Sequence, residues 1–324
     1  MRYTKFFPQG QAVSTLCLGT AGFGTRTAKE DAFSQMDLFF EKGGAFFDTA
    51  RVYGDWVPGG RGASEKTVGA WIKERKCRDK VLISTKGAHP ELRTMYVPRM
   101  SFGELCFDLE ESLKALETDY IDIYFVHRDD VSRPVEEILE NLEAFRKEGK
   151  IRHYGCSNWS LPRIIKAAET AAARGFEGFV CNQIRYGLGD INPKAISDKT
   201  TLTMDKPTYE YHQKTKMAVM AYTSSCNGYF SKKIKGEEIS PSLESVYANE
   251  PNQMLLQKLA RWEKEFNCPA AALVLAYTMS QDFPAAAIAS FSSMGQLEEA
   301  LPAGDFIFPQ ECLAEIRGIK RFLI

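Results

Sequence analysis

Residues 121–127 read IDIYFVH, an apolar run interrupted only by Asp122 and closed by a histidine. Two earlier stretches have the same form: AFFDTA at 45–50 and VLISTK at 81–86. Runs that are apolar throughout, rather than alternating, suit strands buried on both faces, as parallel strands are. Working outward, such runs predict strands at 15–19, 45–49, 81–86, 120–126, 152–156, 178–183, 217–222 and 286–290, with helical stretches between them. Eight strand–helix units predict an α/β fold, one (β/α)8 TIM barrel over residues 1–324, rather than an open sheet. Ser101 and Glu104 form a capping-box pattern before the stripe Leu105, Leu109, Leu113, Leu116. Pro134 suits a first helical turn and Gly149 a helix stop. The first 14 residues predict an N-terminal β-hairpin, with Pro8-Gln9-Gly10 as its turn, closing one end of the barrel. Residues 184–210 and 228–252 exceed the about 2–6 residues of ordinary βα connections, so long loops are expected at the C-terminal face.

Composition narrows the function classes. The 324 residues are 44% apolar with a formal net charge of -1, which gives no electrostatic reason for a nucleic-acid or anionic-membrane partner. No stretch approaches the ~20 apolar residues of a membrane span, and MRYTKFFPQG lacks the apolar core of a secretory signal. Eight scattered cysteines without a CxxC pair read as reduced thiols, so a cytoplasmic protein is expected. Four histidines, none paired at metal-ligand spacing, give no metal site. The glycines of GTAGFG (19–24) do not fit a GxGxxG fingerprint, and PGGRGAS (58–64) lacks the Gly-Lys-Ser/Thr of a phosphate loop.

The strand ends carry the chemistry. Asp48, Tyr53, Lys86 and His127 fall at or just past three successive strand ends, and in a closed parallel barrel all those ends open on one face. An acid, a phenol, an ammonium and an imidazole brought together can protonate a carbonyl oxygen. Free tyrosine, with a pKa near 10, is a poor acid at neutrality. An ammonium within ~4 Å contributes about 4 kcal/mol at an effective dielectric of ~20, which is the size of perturbation that makes the phenol usable. Asp48 would keep Lys86 charged, and His127 would donate a hydrogen bond to the same oxygen.

The sequence resembles the aldo-keto reductase family. AFFDTARVYGDWVPGGRGASE (45–65) has the family's Asp with Tyr five residues on and a downstream Ser-Glu; STKG (84–87) resembles its lysine segment and DYIDIYFVH (119–127) its histidine strand. GKIRHYGCSNWS (149–160) and VCNQIRYGL (180–188) resemble the segments that hold a nicotinamide carboxamide, implying Ser157, Asn158 and Gln183. AVMAYTSSCNGYF (218–230) resembles the segment with an aromatic residue stacked on the nicotinamide and a loop along the pyrophosphate. That implies Tyr222 for stacking and Thr223, Ser225 and Gly228 for the phosphates. IASFSSMGQLEEAL (288–301) resembles the adenosine segment, implying Ser290, Gln296 and Glu299. Where many members carry Lys or Arg for a 2′-phosphate, this chain has Ser290, Phe291, Ser292 and Ser293, leaving both NADP(H) and NAD(H) open as cofactor; Lys232 or Lys233 are the cations in reach.

The resemblance implies an NAD(P)H-dependent oxidoreductase that reduces an aldehyde or ketone, a small-molecule carbonyl, with Tyr53 as general acid. Two alternatives stand beside it: a cofactor-binding, redox-sensing regulatory subunit with little turnover, and a Schiff-base aldolase using Lys86 as nucleophile. Trp56, Arg128 and Trp159 are the candidate substrate contacts. Indoles beside the Arg128-Asp129-Asp130 run suit a sugar-derived carbonyl, although the same charges equally suit an internal salt-bridge network.

Overall fold

A computed structural model of the chain describes residues 1–7 and 12–320. Two short strands come first, β1 (Tyr3–Thr4) and β2 (Val13–Ser14), paired antiparallel. The Pro8-Gln9-Gly10 turn expected between them lies outside the described residues. Eight parallel strands follow: β3 (Leu16–Gly19), β4 (Phe46–Asp48), β5 (Leu82–Gly87), β6 (Ile121–Val126), β7 (Ile151–Ser157), β8 (Cys181–Arg185), β9 (Ala218–Tyr222) and β10 (Ala285–Ala289). They close in chain order, with β10 pairing both β9 and β3, so the predicted barrel is what forms.

Strand alternation decides which side chains enter the barrel. Phe46, Leu82, Ile123, Phe125 and Cys181 belong to one buried cluster in the barrel interior. Two residues further along the same runs, and four in the case of Lys86, the same parity carries Asp48, Ser84, Lys86, His127 and Gln183 inward, now at the C-terminal end. Phe6, Phe7 and Val13 of the hairpin join that cluster from the opposite end, and Phe7 stacks on His153 with ring centroids 4.0 Å apart. The outer faces of the strands pack on the helices in a second, larger core.

The capping-box and glycine signals are obeyed, whereas Pro134, expected in a first helical turn, is the N-cap before helix Val135–Lys147, with ψ 138°. The Ser101 hydroxyl accepts from the Glu104 backbone, and the Glu104 carboxylate accepts from Ser101 N, capping helix Phe102–Leu116. Gly149 follows helix Val135–Lys147 with φ +76°, as a helix stop requires. The first long stretch is indeed a loop, residues 186–205, tied down by an Arg185–Thr203 bridge. The second is not: residues 228–252 hold helices Tyr229–Lys235 and Pro241–Tyr247 and the start of Glu250–Glu265. Side chains of Ser240 and Asn249 cap the latter two, with proline just after the first helical position or at it, so the signals were ordinary N-caps compressed into a short span. No helix among the described residues is long and apolar enough to cross a membrane.

One buried acid makes the fold pH-sensitive. Glu65, on helix Ala63–Arg75, is 1% exposed and accepts from the Thr85 hydroxyl at 2.5 Å. Burial pushes its pKa up to about 7, opposed by the Thr85 and Ser112 hydroxyls and more weakly by Arg51 and Lys86. A carboxyl whose folded pKa exceeds its unfolded value favours folding at low pH. That contribution is lost as pH rises from the unfolded value through the folded one. Glu65→Gln should therefore match the wild type at pH 4 and exceed it at pH 8 by up to about 3 kcal/mol, read by urea unfolding at the two pH values. A variant less stable than wild type at pH 8 contradicts this.

Candidate active site

Lys86 is fully buried, and each ammonium proton has an acceptor: Asp48 Oδ2 at 2.7 Å, the Thr49 carbonyl at 2.6 Å and Tyr53 Oη at 3.2 Å. Burial pulls its pKa down, but Asp48 and Tyr53 outweigh burial and hold it above the ordinary lysine value. A charged, fully donated ammonium is no nucleophile, which removes the physical basis for the aldolase alternative. The other Asp48 oxygen accepts from Ser84 Oγ at 2.7 Å and Gln183 Nε2 at 2.8 Å, so the carboxylate is braced on both sides.

Tyr53 departs from the simple electrostatic expectation. Burial pushes its phenol above the usual pKa; Lys86 opposes this, and Asp48 adds to it. Lys86 thus limits a rise instead of producing a net fall, and the phenol is protonated at neutral pH. His127 lies on its other side, ring centroids 6.0 Å apart. Burial, then Arg128 and His89, hold the His127 imidazole well below its usual pKa, so it is neutral and has one N–H to give. Its Nδ1 has no hydrogen-bond partner among the described residues. His89, which sequence reasoning overlooked, packs against His127 with centroids 4.8 Å apart. Its only sequence signal is a place three residues after Lys86.

A cleft of about 880 Å³ runs from Asp48 and Tyr53 across the ends of β3, β9 and β10. Tyr222, Thr223, Ser225, Gly228, Ser290, Gln296 and Glu299 all line it. The loop after β9 holds Thr223, Cys226 and Asn227 at φ +59°, +52° and +51°, a left-handed strain that L residues keep only when surroundings impose it. Gly22, Phe23, Arg26 and Thr27 also line the cleft: the glycine-rich stretch is part of the site without being a dinucleotide fingerprint. Arg26 and Lys232 have no ion-pair partner among the described residues, whereas Lys235 is bound by both oxygens of Glu299 at 2.7 Å. Lys233 is paired with Glu244 and does not line the cleft.

Ser157, Asn158 and Gln183 stand behind this cleft and do not line it. The Asn158 oxygen accepts from Leu202 N at 2.9 Å and Tyr222 Oη at 2.7 Å, and its amide donates to Ser157 Oγ at 3.0 Å. Two of the three candidate substrate contacts are corrected. Trp159 is 1% exposed, donates to the Arg128 carbonyl at 3.3 Å and packs edge-on against Phe179 at 4.9 Å, so it is core. Arg128 is consumed by Thr200 Oγ1 at 2.8 Å, Asp198 Oδ2 at 2.9 Å and the His127 carbonyl at 2.8 Å. Asp129 pairs with Arg163 at 2.8 Å, and Asp130 with Ser132 and Arg133, so the charged run is an internal network. Trp56 remains available beside Tyr53, 45% exposed, its ring 6.0 Å from that of Tyr53.

A sequence model described as the aldo/keto reductase family matches residues 15–321. The chain is 29% identical over 98% of its length to the uncharacterized oxidoreductase YrpG of Bacillus subtilis, covering 96% of that protein. It is 36% identical to the norsolorinic acid reductase stcV of Emericella nidulans over 55% of this chain and 48% of that one. The crystal structure of the thermostable aldo-keto reductase Tm1743, in complex with the inhibitor epalrestat, superposes with a TM-score of 0.74 at 22% identity, covering 98% of this chain and all of that one. With the family's sequence pattern spanning nearly the whole chain, its barrel formed, and Asp48, Tyr53, Lys86 and His127 gathered at one end, this protein is a member of the aldo/keto reductase family.

Proposed function

We propose that the protein reduces an aldehyde or ketone to an alcohol, drawing on a nicotinamide cofactor, with Tyr53 as the proton donor. The observation that carries this is the chain Asp48–Lys86–Tyr53 opening beside a neutral His127 at the inner end of the long cleft. The residues fit the cofactor. Hydroxyls and backbone N–H groups of Thr223, Ser225 and Gly228, with Arg26 and Lys232 as cations, suit a diphosphate, and the Tyr222 ring suits a planar heterocycle. A reduced nicotinamide bound there supplies the hydride for the carbonyl carbon. Tyr53 Oη and the His127 N–H converge on the carbonyl oxygen and fix its approach. As negative charge develops on that oxygen, it becomes more basic than a phenolate and takes the Tyr53 proton. Lys86 stabilises the phenolate left behind, and Asp48, held by Ser84 and Gln183, keeps Lys86 in place. Among the similar proteins, stcV is named a reductase and GME11368 of Pestalotiopsis microspora an aryl-alcohol dehydrogenase. Both directions suit one site, because the tyrosine proton can be given or taken. The test is cofactor oxidation at 340 nm, about the absorbance maximum of reduced nicotinamide, with a panel of aldehydes and ketones; a redox-sensing subunit would bind cofactor but consume none.

Cofactor choice should be weakly discriminating. In the segment that resembles the family's adenosine segment, Ser290, Ser292 and Ser293 replace the Lys or Arg that many members carry for a 2′-phosphate, and Lys235, which also lines the cleft, is paired with Glu299. A good charge-assisted contact contributes about 1.5–3 kcal/mol, or roughly 10- to 150-fold. The NADPH:NADH ratio of kcat/KM should stay below that range's upper end. A thousandfold preference would mean that Lys232 or Arg26 closes on the phosphate.

A further inference from the structure

A hydrogen-bond donor that acts in a reaction needs its direction fixed, and for a histidine the usual device is a hydrogen bond at its other ring nitrogen. His127 lacks that device. Its Nδ1 is buried without a partner among the described residues, so Nε2 is the nitrogen left to meet a carbonyl oxygen. The neutral imidazole has one N–H, and a proton on the buried Nδ1 would find no acceptor. The main chain of His127 is held on both sides: its N–H donates to the Gly87 carbonyl at 2.9 Å, and its carbonyl accepts from Arg128 Nη1 at 2.8 Å. Rotation of the ring remains to be fixed. The ring contacts that bear on it are Tyr53, edge-on at 6.0 Å, and His89, edge-on at 4.8 Å.

The His89 ring is itself locked. Its Nδ1 lies 2.7 Å from the Pro90 carbonyl, which can only accept, so Nδ1 carries the proton and Nε2 the lone pair. Burial, then Arg128, pull its pKa down to about 4, so it brings no positive charge beside His127 at neutral pH. The residue before it, Ala88, is buried at φ +60°, a conformation that an L residue keeps only where its surroundings impose it. Asp108 supplies that constraint, its Oδ2 accepting from Ala88 N at 2.8 Å. Asp108 is fully buried and gripped by Arg99 through both oxygens, at 3.0 and 2.9 Å, and by Arg51 at 3.3 Å. Arg99 also donates to the His89 carbonyl at 3.3 Å. A strained backbone, a buried ion cluster and a proline thus converge on one imidazole, and that imidazole packs on His127.

Resting on the reductase reading above, we propose that His89 is a positioning residue for carbonyl reduction: its ring, packed edge-on against His127, holds that imidazole in the one orientation and Nε2–H tautomer that present a donor to the substrate oxygen. What position 89 must supply is a flat, uncharged ring, not a hydrogen bond to His127.

The first measurement is spectroscopic and needs neither cofactor nor substrate. With four histidines in the chain, long-range nitrogen–proton NMR spectra resolve the tautomer of each imidazole. The wild type should show His127 as one Nε2–H form and His89 as one Nδ1–H form. In His89→Ala the His127 signals should double or average between tautomers, and in His89→Phe they should return to the single form. Kinetics on the best aldehyde of the panel should follow the same order. His89→Ala should lower kcat by about 10- to 100-fold with the KM for cofactor unchanged. His89→Phe, which keeps the ring, should stay within about threefold of the wild type. If His89→Ala does not fold, the wild-type tautomers and the phenylalanine variant decide the matter. An Nδ1–H tautomer of His127 in the wild type overturns the inference and leaves the reductase reading standing. So does a folded His89→Ala variant whose His127 signals or kcat are unchanged, and so does a His89→Phe variant with its kcat lowered tenfold or more, which would mean that His89 acts through its nitrogens. Reduction of no aldehyde or ketone by the wild type, with NADPH or NADH, fails the reductase reading itself, and the inference with it, whatever the spectra show.

Discussion

Tyr53→Phe should lower kcat/KM for carbonyl reduction by about 10²–10⁴-fold while leaving cofactor affinity nearly unchanged. The phenol oxygen contacts Lys86 at 3.2 Å, and its ring stands between Trp56 and His127, so phenylalanine keeps the packing and removes only the acid. What is lost is the group that protonates the developing alkoxide; neutral His127 can donate a hydrogen bond to it, but its low pKa leaves no second proton to transfer. Tyrosine also keeps the site neutral before the reaction, because burial holds the phenol protonated. Steady-state rates, with fluorescence titration of NADP⁺ and NAD⁺ binding, separate the two quantities. Wild-type turnover in the variant would end the assignment of Tyr53 as acid, and a large loss of cofactor affinity would show that the residue does more than donate a proton.

The barrel and its four central side chains were legible because both depend on local pattern. Apolar runs mark strands buried on two faces, and a polar residue ending such a run must sit at the rim. Asp48, Lys86 and His127 share strand parity with Phe46, Leu82 and Phe125, so one alternation rule places all three inward. Partners far apart in sequence were not legible. Arg128 and Trp159 looked available because Asp198 lies 70 residues beyond the arginine and the indole's neighbour Phe179 sits on the approach to the next strand. Family resemblance carried Asn158 and Gln183 to a carboxamide, yet no local pattern shows that Tyr222 and Leu202 reach Asn158, or that Gln183 reaches Asp48 from 135 residues away. The direction of the Tyr53 shift failed for a related reason: a pairwise Coulomb estimate contains Lys86 but not the burial imposed by the closed barrel.

Lys86→Met should both weaken the fold and collapse the rate, and the pH dependence distinguishes its two roles. Removing one partner of a buried pair costs about 3–5 kcal/mol, because the remaining charge stays desolvated. The loss should fall toward the low end of that range, since Ser84 and Gln183 still donate to Asp48 at 2.7 and 2.8 Å. For the rate, Lys86 is the main group that opposes the burial-driven rise of the Tyr53 pKa, with Arg128 a smaller one, and Asp48 adds to the rise. Without Lys86 the phenol therefore titrates at still higher pH. Reduction needs the protonated phenol, so its alkaline limb should move upward. Alcohol oxidation needs the phenolate, so at pH 8 oxidation should suffer more than reduction. Lys86→Arg offers the control: it keeps the charge in a planar, bulkier group and should retain part of the pH profile even where the geometry costs rate. Comparing the pH dependence of kcat/KM in both directions reads the electrostatic role directly, which a purely structural lysine would not move. A methionine variant that unfolds less readily than expected would revise only the pairing energy. An unchanged pH profile in that variant would instead remove Lys86 from the proton-transfer step.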